Sequence, residues 1–485
     1  MNLIHRKNGT KDVPEGIIGA LGISHPLRFI LFVACVWISI LLVLFVPAFD
    51  PLSPAQKRAL FILILAALLW VTEAIAAYSV GILIIALNIA LLGDAEDRIF
   101  AVTDRDWIEF VTVIGNPLIW LFFGGFVLAE GMSRTGLDRW LASRVLSRFG
   151  ARPSIVLLGV MTITFVLSMF VSNTATAAMM VAMLGPLITR LHPRFATGVL
   201  LGTAVAANLG GMGSLIGTPP NAIAVGVLSQ LSDPVDISFL QWMLIGLPVG
   251  AVLMLICWAI IARLYPSPRT ELPDLDWSRD SDSKTADAPP WQVIIVALTL
   301  VLTVGLWMTS QWHNTPTAVV SFLPIVMFTT TGILSSHQIR GLNYDVLFLL
   351  AGGLALGQVV TATGLSDWIV SHIPTDGMSV IAIAALVSLV TLGLSNFMSN
   401  TAAANVVIPL SVTMAVGAEA RVAVPIALAA SAAMCLPIAT PPNAMIFATG
   451  KCGTRDFLRM GLIVGLLAPV LSVGWSNLVL GWLGH

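Results

Sequence analysis

Along most of the chain, apolar residues run on for about 17 to 30 positions at a time and stop only at short polar or charged turns. Runs of that length fit the roughly 20 residues with which an α-helix crosses a bilayer. The pattern predicts eleven spans, at about 28–48, 57–77, 78–94, 113–135, 196–228, 240–264, 291–310, 316–334, 344–365, 422–450 and 457–482. A transmembrane barrel would show weaker, alternating strands and does not fit. The expected class is therefore an all-α polytopic membrane protein.

Two further apolar stretches, 154–189 and 378–416, resist this count. Each carries Ser-Asn-Thr at its middle, in "FVSNTAT" (Phe170–Thr176) and "FMSNTAA" (Phe397–Ala403). Half of such a stretch, about 17 residues at 1.5 Å rise, is marginal for crossing roughly 30 Å of hydrocarbon. Each is read as a re-entrant hairpin that enters and leaves on one side. Its broken tip is expected near mid-membrane, where non-helical backbone is tolerated only when buried in protein or lining a cavity.

Charge sets the orientation. Eleven passes from a cytoplasmic N-terminus put Arg6, Lys7, Lys11 and Arg28 inside, along with Arg139, Arg144, Arg148, Arg152, Arg190, Arg194, Arg263 to Lys284, Arg340 and Lys451 to Arg459. The outer loops "SQLSDPVDIS", "SQWHNTPT" and "SHIPTDG" hold no Lys or Arg, whereas Lys57 and Arg58 dissent. The C-terminus then lies outside, in a cytoplasmic or plasma membrane. Trp140, Leu141, Val145 and Leu146, interleaved with arginines, predict an interfacial arm helix over about 138–152.

Composition agrees with the pattern: 485 residues, 57% hydrophobic and 10% charged, with mean hydropathy +0.93. A net charge of −1 gives no reason to expect a nucleic-acid partner. The polar opening "MNLIHRKNGTKDVPEG" lacks a cleavable signal's apolar core. Cys35, Cys257, Cys435 and Cys452 lack CxxC spacing and suggest neither a disulfide frame nor a zinc site.

The chain also repeats itself. Gly124 and Gly125 pair with Gly352 and Gly353, Thr135-Gly136-Leu137 with Thr363-Gly364-Leu365, and Trp140 with Trp368. Ser172-Asn173-Thr174 then pairs with Ser399-Asn400-Thr401, and "GTPPNA" (Gly217–Ala222) with "ATPPNA" (Ala439–Ala444). Each unit holds five spans and one hairpin, and an odd number of crossings makes the second unit enter from the opposite side. Inverted repeats with broken helices are the architecture of secondary transporters.

Neither hairpin contains Asp, Glu, Lys, Arg or His, and neither do 196–232 and 422–450, which hold the TPPN motifs. A site built there is formally neutral, made of Ser, Asn and Thr. A helix broken at mid-membrane exposes carbonyls at one half's C-terminus and N–H groups at the next half's N-terminus. Carbonyls with Ser and Asn oxygens suit a small hard cation; N–H groups at the positive end of the helix dipole suit an anion. In TPPN the prolines remove donors, so breaks are expected at Thr218–Pro219 and Thr440–Pro441. Two facing tips suit a dianion accompanied by Na⁺.

The paired SNT motifs, the paired TPPN motifs and "WVTEAI" (Trp70–Ile75) resemble the divalent anion/sodium symporters, a family of sodium-coupled dicarboxylate transporters. The resemblance covers nearly the whole chain from about residue 55. It implies an elevator-type transporter and a homodimer. A scaffold domain (28–153 and 291–377) would carry the dimer contact, and a transport domain (154–264 and 378–485) would slide across the membrane. A cytoplasmic segment (1–27) and a polar, Pro-rich linker (265–290) complete the division.

Carried over residue by residue, the family pattern makes Ser172, Asn173, Thr174, Ser399, Asn400 and Thr401 the substrate-contacting set, joined by Thr218, Pro219, Thr440 and Pro441. It makes Ser168, Ser172, Asn173 and Gly217 the ligands of one Na⁺, and Ser395, Met398, Asn400 and Ala439 those of another. Ser395 stands where the dicarboxylate members carry Thr, and Met398 where a small residue is usual, so the backbone would supply the oxygen at Met398.

Glu73 and Glu130 are carboxylates expected within or at the ends of spans, and both lie outside the hairpin and TPPN segments. A scaffold role is read for both. An intramembrane enzyme would need converging acid, base or metal-binding residues, which the repeated motifs lack. The expected activity is Na⁺-coupled symport of a dicarboxylate such as succinate, malate or fumarate. A di- or tricarboxylate exchanger and a sodium:sulfate symporter are the alternatives on the same fold.

Overall fold

The computed structural model describes residues 25–92, 106–231, 233–268, 270, 288–372 and 377–484. Most of the predicted N-terminal segment and of the 265–290 linker lies outside the described residues. Among the described residues the regular structure is entirely helical.

The first helices are α1 (His25–Phe45), α2 (Pro54–Thr72), α3 (Ala77–Leu92) and α4 (Pro117–Thr135). A short helix, α5 (Leu137–Leu146), then leads to α6 (Pro153–Ser168), α7 (Asn173–Ile188), α8 (Pro193–Gly210), α9 (Pro219–Ser229) and α10 (Phe239–Leu264). The second half follows the same order. It runs α11 (Pro290–Met308), α12 (Thr317–Thr330), α13 (Tyr344–Ala362), α14 (Leu365–His372), α15 (Val380–Ser395), α16 (Asn400–Val412), α17 (Ala420–Ser431), α18 (Pro441–Ala448) and α19 (Thr454–Leu483).

Local sequence explains where these helices begin. Pro occupies the first turn of α2, α4, α6, α8, α9, α11 and α18, where its missing N–H has no intrahelical partner to lose. Ser53 with Gln56 and Ser238 with Gln241 form capping boxes at α2 and α10.

Eight helices among the described residues are long and apolar enough to cross a bilayer. Seven coincide with predicted spans, and the eighth, Pro193–Gly213, is the first part of the span expected at 196–228. Two expected spans are not continuous helices: 196–228 breaks between α8 and α9, and 422–450 breaks between α17 and α18. Hydropathy misses both interruptions, because the connecting residues Gly211–Thr218 and Ala432–Thr440 are themselves small or apolar. The helices restart at Pro219 and Pro441, as the TPPN motifs predict.

Each predicted hairpin is a pair of short helices, α6 with α7 and α15 with α16, joined by a tight turn. Sixteen residues in α6 rise only about 24 Å. The predicted arm is the helix α5, which is shorter than expected; it buries Leu137, Ala142 and Leu146 and exposes Trp140.

Packing sorts the helices into two groups. The first contains α1, α2 and α3, with α13 against α2 and α3, and α4 against α11 and α12. Gly81 and Gly352 bring α3 and α13 into direct backbone contact: a Cβ on Gly352 would lie 2.2 Å from the Gly81 Cα. The second group contains α6, α8 and α10 from the first repeat and α15, α17 and α19 from the second, linked by contacts of α10 with α19. At one end of this group Tyr265, just past α10, donates to Asp456 Oδ1 in the first turn of α19. Burial, and then the Asp456 carboxylate, push the Tyr265 phenol up, so it stays protonated and keeps donating.

Candidate functional site

The serine of each SNT motif is the N-cap of the second hairpin helix. Ser172 Oγ accepts from the Ala175 N–H at 3.3 Å, and Ser399 Oγ accepts from the Ala402 N–H at 3.2 Å. Each cap satisfies one N–H that the helix start would leave open. That is why the hairpin turns at this point and a new helix begins at Asn173 and at Asn400.

The asparagine of each motif reaches back to the first half of its hairpin. Ser168 Oγ donates to Asn173 Oδ1 at 2.8 Å, and Ser395 Oγ to Asn400 Oδ1 at 2.9 Å. The same hydroxyls lie 2.7 Å from the Ala207 carbonyl oxygen and 2.9 Å from that of Ala430. A serine has one hydrogen and cannot fully satisfy two acceptors. Each repeat therefore gathers three oxygens around a single hydrogen, an electron-rich cluster suited to a cation. A hydroxyl, an amide and a peptide carbonyl carry no formal charge, so each cluster is neutral.

The breaks beside the hairpins are built alike. Gly217 N–H donates to the Ser214 carbonyl at 3.4 Å, and Ala439 N–H to the Leu436 carbonyl at 3.1 Å. The asparagine of each TPPN motif ties its break together from within: Asn221 Nδ2 donates to the carbonyls of Gly211 (2.9 Å) and Ser214 (2.7 Å). Asn443 Nδ2 donates to those of Met434 and Leu436, both at 3.0 Å. Breaks and tips are also joined, through Ser214 Oγ donating to the Met169 carbonyl and Cys435 N–H donating to Asn396 Oδ1 at 2.8 Å. A Cβ on Gly211 would meet Asn173 Oδ1 at 2.7 Å, so the bare glycine lets the amide lie against the break.

The two repeats cross over at this place. Helix α18, opened by Thr440 and Pro441, packs on α7 and α8 of the first repeat; α9, opened by Thr218 and Pro219, packs on α16 and α17 of the second. Thr440 is joined to Asn173 by an unbroken path: Asn208 Nδ2 donates to Thr440 Oγ1 at 3.1 Å, Asn208 follows Ala207, and the Ala207 carbonyl shares Ser168 with Asn173. Four helix N-termini, at Asn173, Pro219, Asn400 and Pro441, thus belong to one interlocked assembly.

The halves differ in exposure. Thr174 and Ala175 are exposed on α7, whereas Thr401 is buried at 9% on α16, which packs against α13 and α2. Met398 and Ala439 are buried, Pro441 is exposed and Pro219 half-buried. Glu73 ends α2 in a left-handed conformation (φ 49°) and Glu130 lies in α4, both on helices outside this assembly.

Several residues escaped the sequence reading: Asn208, Ser214, Gly211, and the amide work of Asn221 and Asn443. Gly246 and Gly461 also did. Each is the eighth residue of its helix, α10 or α19, and each seats that helix on a break. A Cβ on Gly246 would lie 2.1 Å from the Met212 carbonyl oxygen, and one on Gly461 would lie 2.3 Å from the Cys435 Cα.

Comparison with known proteins agrees with this geometry. Residues 63–429 match the family model described as CitMHS, citrate transporter. The chain is 30% identical to the sodium-dependent dicarboxylate transporter SdcS of Staphylococcus saprophyticus over 469 residues, covering 89% of this chain and 87% of the relative. It is 29% identical to an uncharacterized transporter of Haemophilus influenzae over 447 residues, covering 87% and 91%. The crystal structure of the YdaH transporter of Alcanivorax borkumensis has the same fold, with a TM-score of 0.51 at 14% identity, over 84% of this chain and 98% of that one. The chain belongs to the citrate transporter family that this model describes and, with it, to the divalent anion/sodium symporters; it is a transporter and not an enzyme.

Proposed function

We propose that the protein is a secondary active transporter that carries a dicarboxylate dianion together with Na⁺. The observation that carries this reading is the pair of equivalent, uncharged oxygen clusters, Ser168/Asn173/Ala207 and Ser395/Asn400/Ala430, each set at the start of a hairpin helix. In each cluster the oxygens would hold Na⁺, with Gly217 and the second-repeat pair Met398 and Ala439 adding backbone oxygens. The neighbouring N–H groups and the hydroxyls of Ser172, Thr174, Thr218, Ser399, Thr401 and Thr440 would face the carboxylates. The ions supply the positive charge the pocket lacks, so cation and dianion bind together. The function named for the Staphylococcus relatives, sodium-dependent dicarboxylate transport, supports this assignment.

On this reading the chain makes eleven crossings from a cytoplasmic N-terminus to an external C-terminus, and its halves are inverted repeats. The group around α2, α3, α4 and α13 is the scaffold of a homodimer, and the group holding both hairpins moves as an elevator.

Because the matching family is described as citrate transporters, a tricarboxylate must be tested beside the dicarboxylate. Purified protein in liposomes is expected to accumulate labelled succinate only under an inward Na⁺ gradient, and to accumulate citrate and sulfate less. Uptake that ignores Na⁺ but needs succinate or citrate inside would make the protein an exchanger.

A further inference from the structure

The two TPPN asparagines do equivalent work on their breaks, yet their outward oxygens have different fates. Asn443 Oδ1 accepts from Asn208 Nδ2 at 3.1 Å, whereas Asn221 Oδ1 is buried and has no hydrogen-bond partner among the described residues. The difference lies in one position of the repeat. Where α8 has Asn208, following the Ala207 that bonds Ser168, α17 has Ser431, following the Ala430 that bonds Ser395. Ser431 turns its hydroxyl back to the Ala427 carbonyl at 3.1 Å within its own helix. A serine is too short to bridge the repeats; an asparagine does so.

The network fixes the sense of the bridge. Asn443 Nδ2 spends its hydrogens on the Met434 and Leu436 carbonyls, so Oδ1 faces Asn208. Asn208 must then present Nδ2, whose two hydrogens go to Asn443 Oδ1 and to Thr440 Oγ1, both at 3.1 Å. Thr440 Oγ1 also accepts from the Asn443 N–H at 3.4 Å. With both lone pairs engaged, the Thr440 hydroxyl has only its hydrogen left to offer. Thr218, the counterpart in the first repeat, makes no capping bond.

We infer that Asn208 is a positioning residue of the binding site: it locks the Thr440 hydroxyl as a donor aimed at one anionic group of the substrate, while Thr218 stays free to adjust to the other. This rests on the transport reading above, and it adds that the two ends of the site are unequal. The fixed end selects an acceptor that cannot donate in return, namely an ionised carboxylate, and the adjustable end accommodates variation in the rest of the molecule.

The test measures succinate uptake kinetics of the full-length protein in liposomes at saturating Na⁺. Asn208→Leu, which keeps the side-chain shape without the donor, is expected to raise KM about tenfold, the value of one neutral hydrogen bond of about 1–1.5 kcal/mol, with Vmax within about twofold. Asn208→Asp, equally close in shape, turns a donor into an acceptor that captures the Thr440 hydrogen, and is expected to raise KM further than Leu does. Asn208→Ser, the residue the second repeat carries at its corresponding position, should fold normally and reproduce the Leu effect. On a Thr440→Val background none of the three should change KM by more than about twofold, because the hydroxyl they orient is gone. An unchanged KM in Asn208→Ser, a milder effect of Asp than of Leu, or an undiminished effect on the Thr440→Val background would overturn the inference. If the wild-type protein takes up no carboxylate at all, the transport reading fails instead.

Discussion

Replacing Asn173 or Asn400 by alanine is expected to cut Na⁺-driven uptake by about a hundredfold or more in a protein that still folds. Each asparagine begins a helix at a position where alanine is an excellent helix former, and each is only half-buried, so little packing is lost. The amide oxygen, however, is one of three oxygens at a single serine hydroxyl. On the proposed reading, removing it would take an oxygen from the cation and also let the serine hydrogen settle wholly on the Ala207 or Ala430 carbonyl. A hydrogen bond or oxygen contact to a charge contributes about 1.5–3 kcal/mol, and here two such contacts weaken together. Initial uptake rates, beside size-exclusion profiles of the purified variants, decide the matter. Wild-type rates in both variants would remove these residues from the site.

Gly217→Ala is expected to be as damaging, for a reason that lies in the backbone. A Cβ at position 217 would stand 2.5 Å from the Gly211 carbonyl oxygen and 3.0 Å from the Gly211 carbonyl carbon and Cα. No side chain can yield there, so the turn itself must move. Gly211 in turn lies against the Asn173 amide, and its carbonyl accepts from Asn221 Nδ2. The displacement therefore reaches the first oxygen cluster and the knot that closes the break. Gly474→Ala is the matched control: it sits in helix α19 with nothing within 4 Å of an added Cβ, and alanine there costs nothing in packing. Uptake should be lost in the first variant and kept in the second. Equal uptake by the two would show that the break tolerates movement.

How much of this was legible in the sequence depends on the kind of signal. The SNT and TPPN motifs stood out because hydroxyls, amides and prolines interrupt apolar runs, and because each recurs in order with its neighbours. The exact break between α8 and α9 did not show in hydropathy, since Gly210, Gly211, Met212 and Leu215 are all apolar or small. Only Thr218–Pro219 marked it. Asn208 gave no warning: it is a lone amide in a small-residue helix, and its repeat counterpart, Ser431, is a different residue, so the internal repeat does not mark it. Gly246 and Gly461 were hidden for the opposite reason. They recur, in GLPVG (Gly246–Gly250) and GLIVG (Gly461–Gly465), but only the approach of Met212 and Cys435 gives them meaning.

The crossing of α18 onto α7 and of α9 onto α16 is a tertiary fact with no local trace. It is also what brings the breaks of each repeat against the hairpin of the other. The difference between Thr174 and Thr401 is likewise invisible in sequences that read alike, because it arises from what packs on each hairpin.

The most direct measurement is equilibrium binding of succinate to the purified protein at increasing Na⁺, with choline holding ionic strength constant. If neutral oxygen clusters place the cations that complete the dianion's site, succinate affinity must rise with Na⁺, and Na⁺ affinity must rise with succinate by the same factor. A succinate Kd that is the same in choline as in Na⁺ would contradict the account.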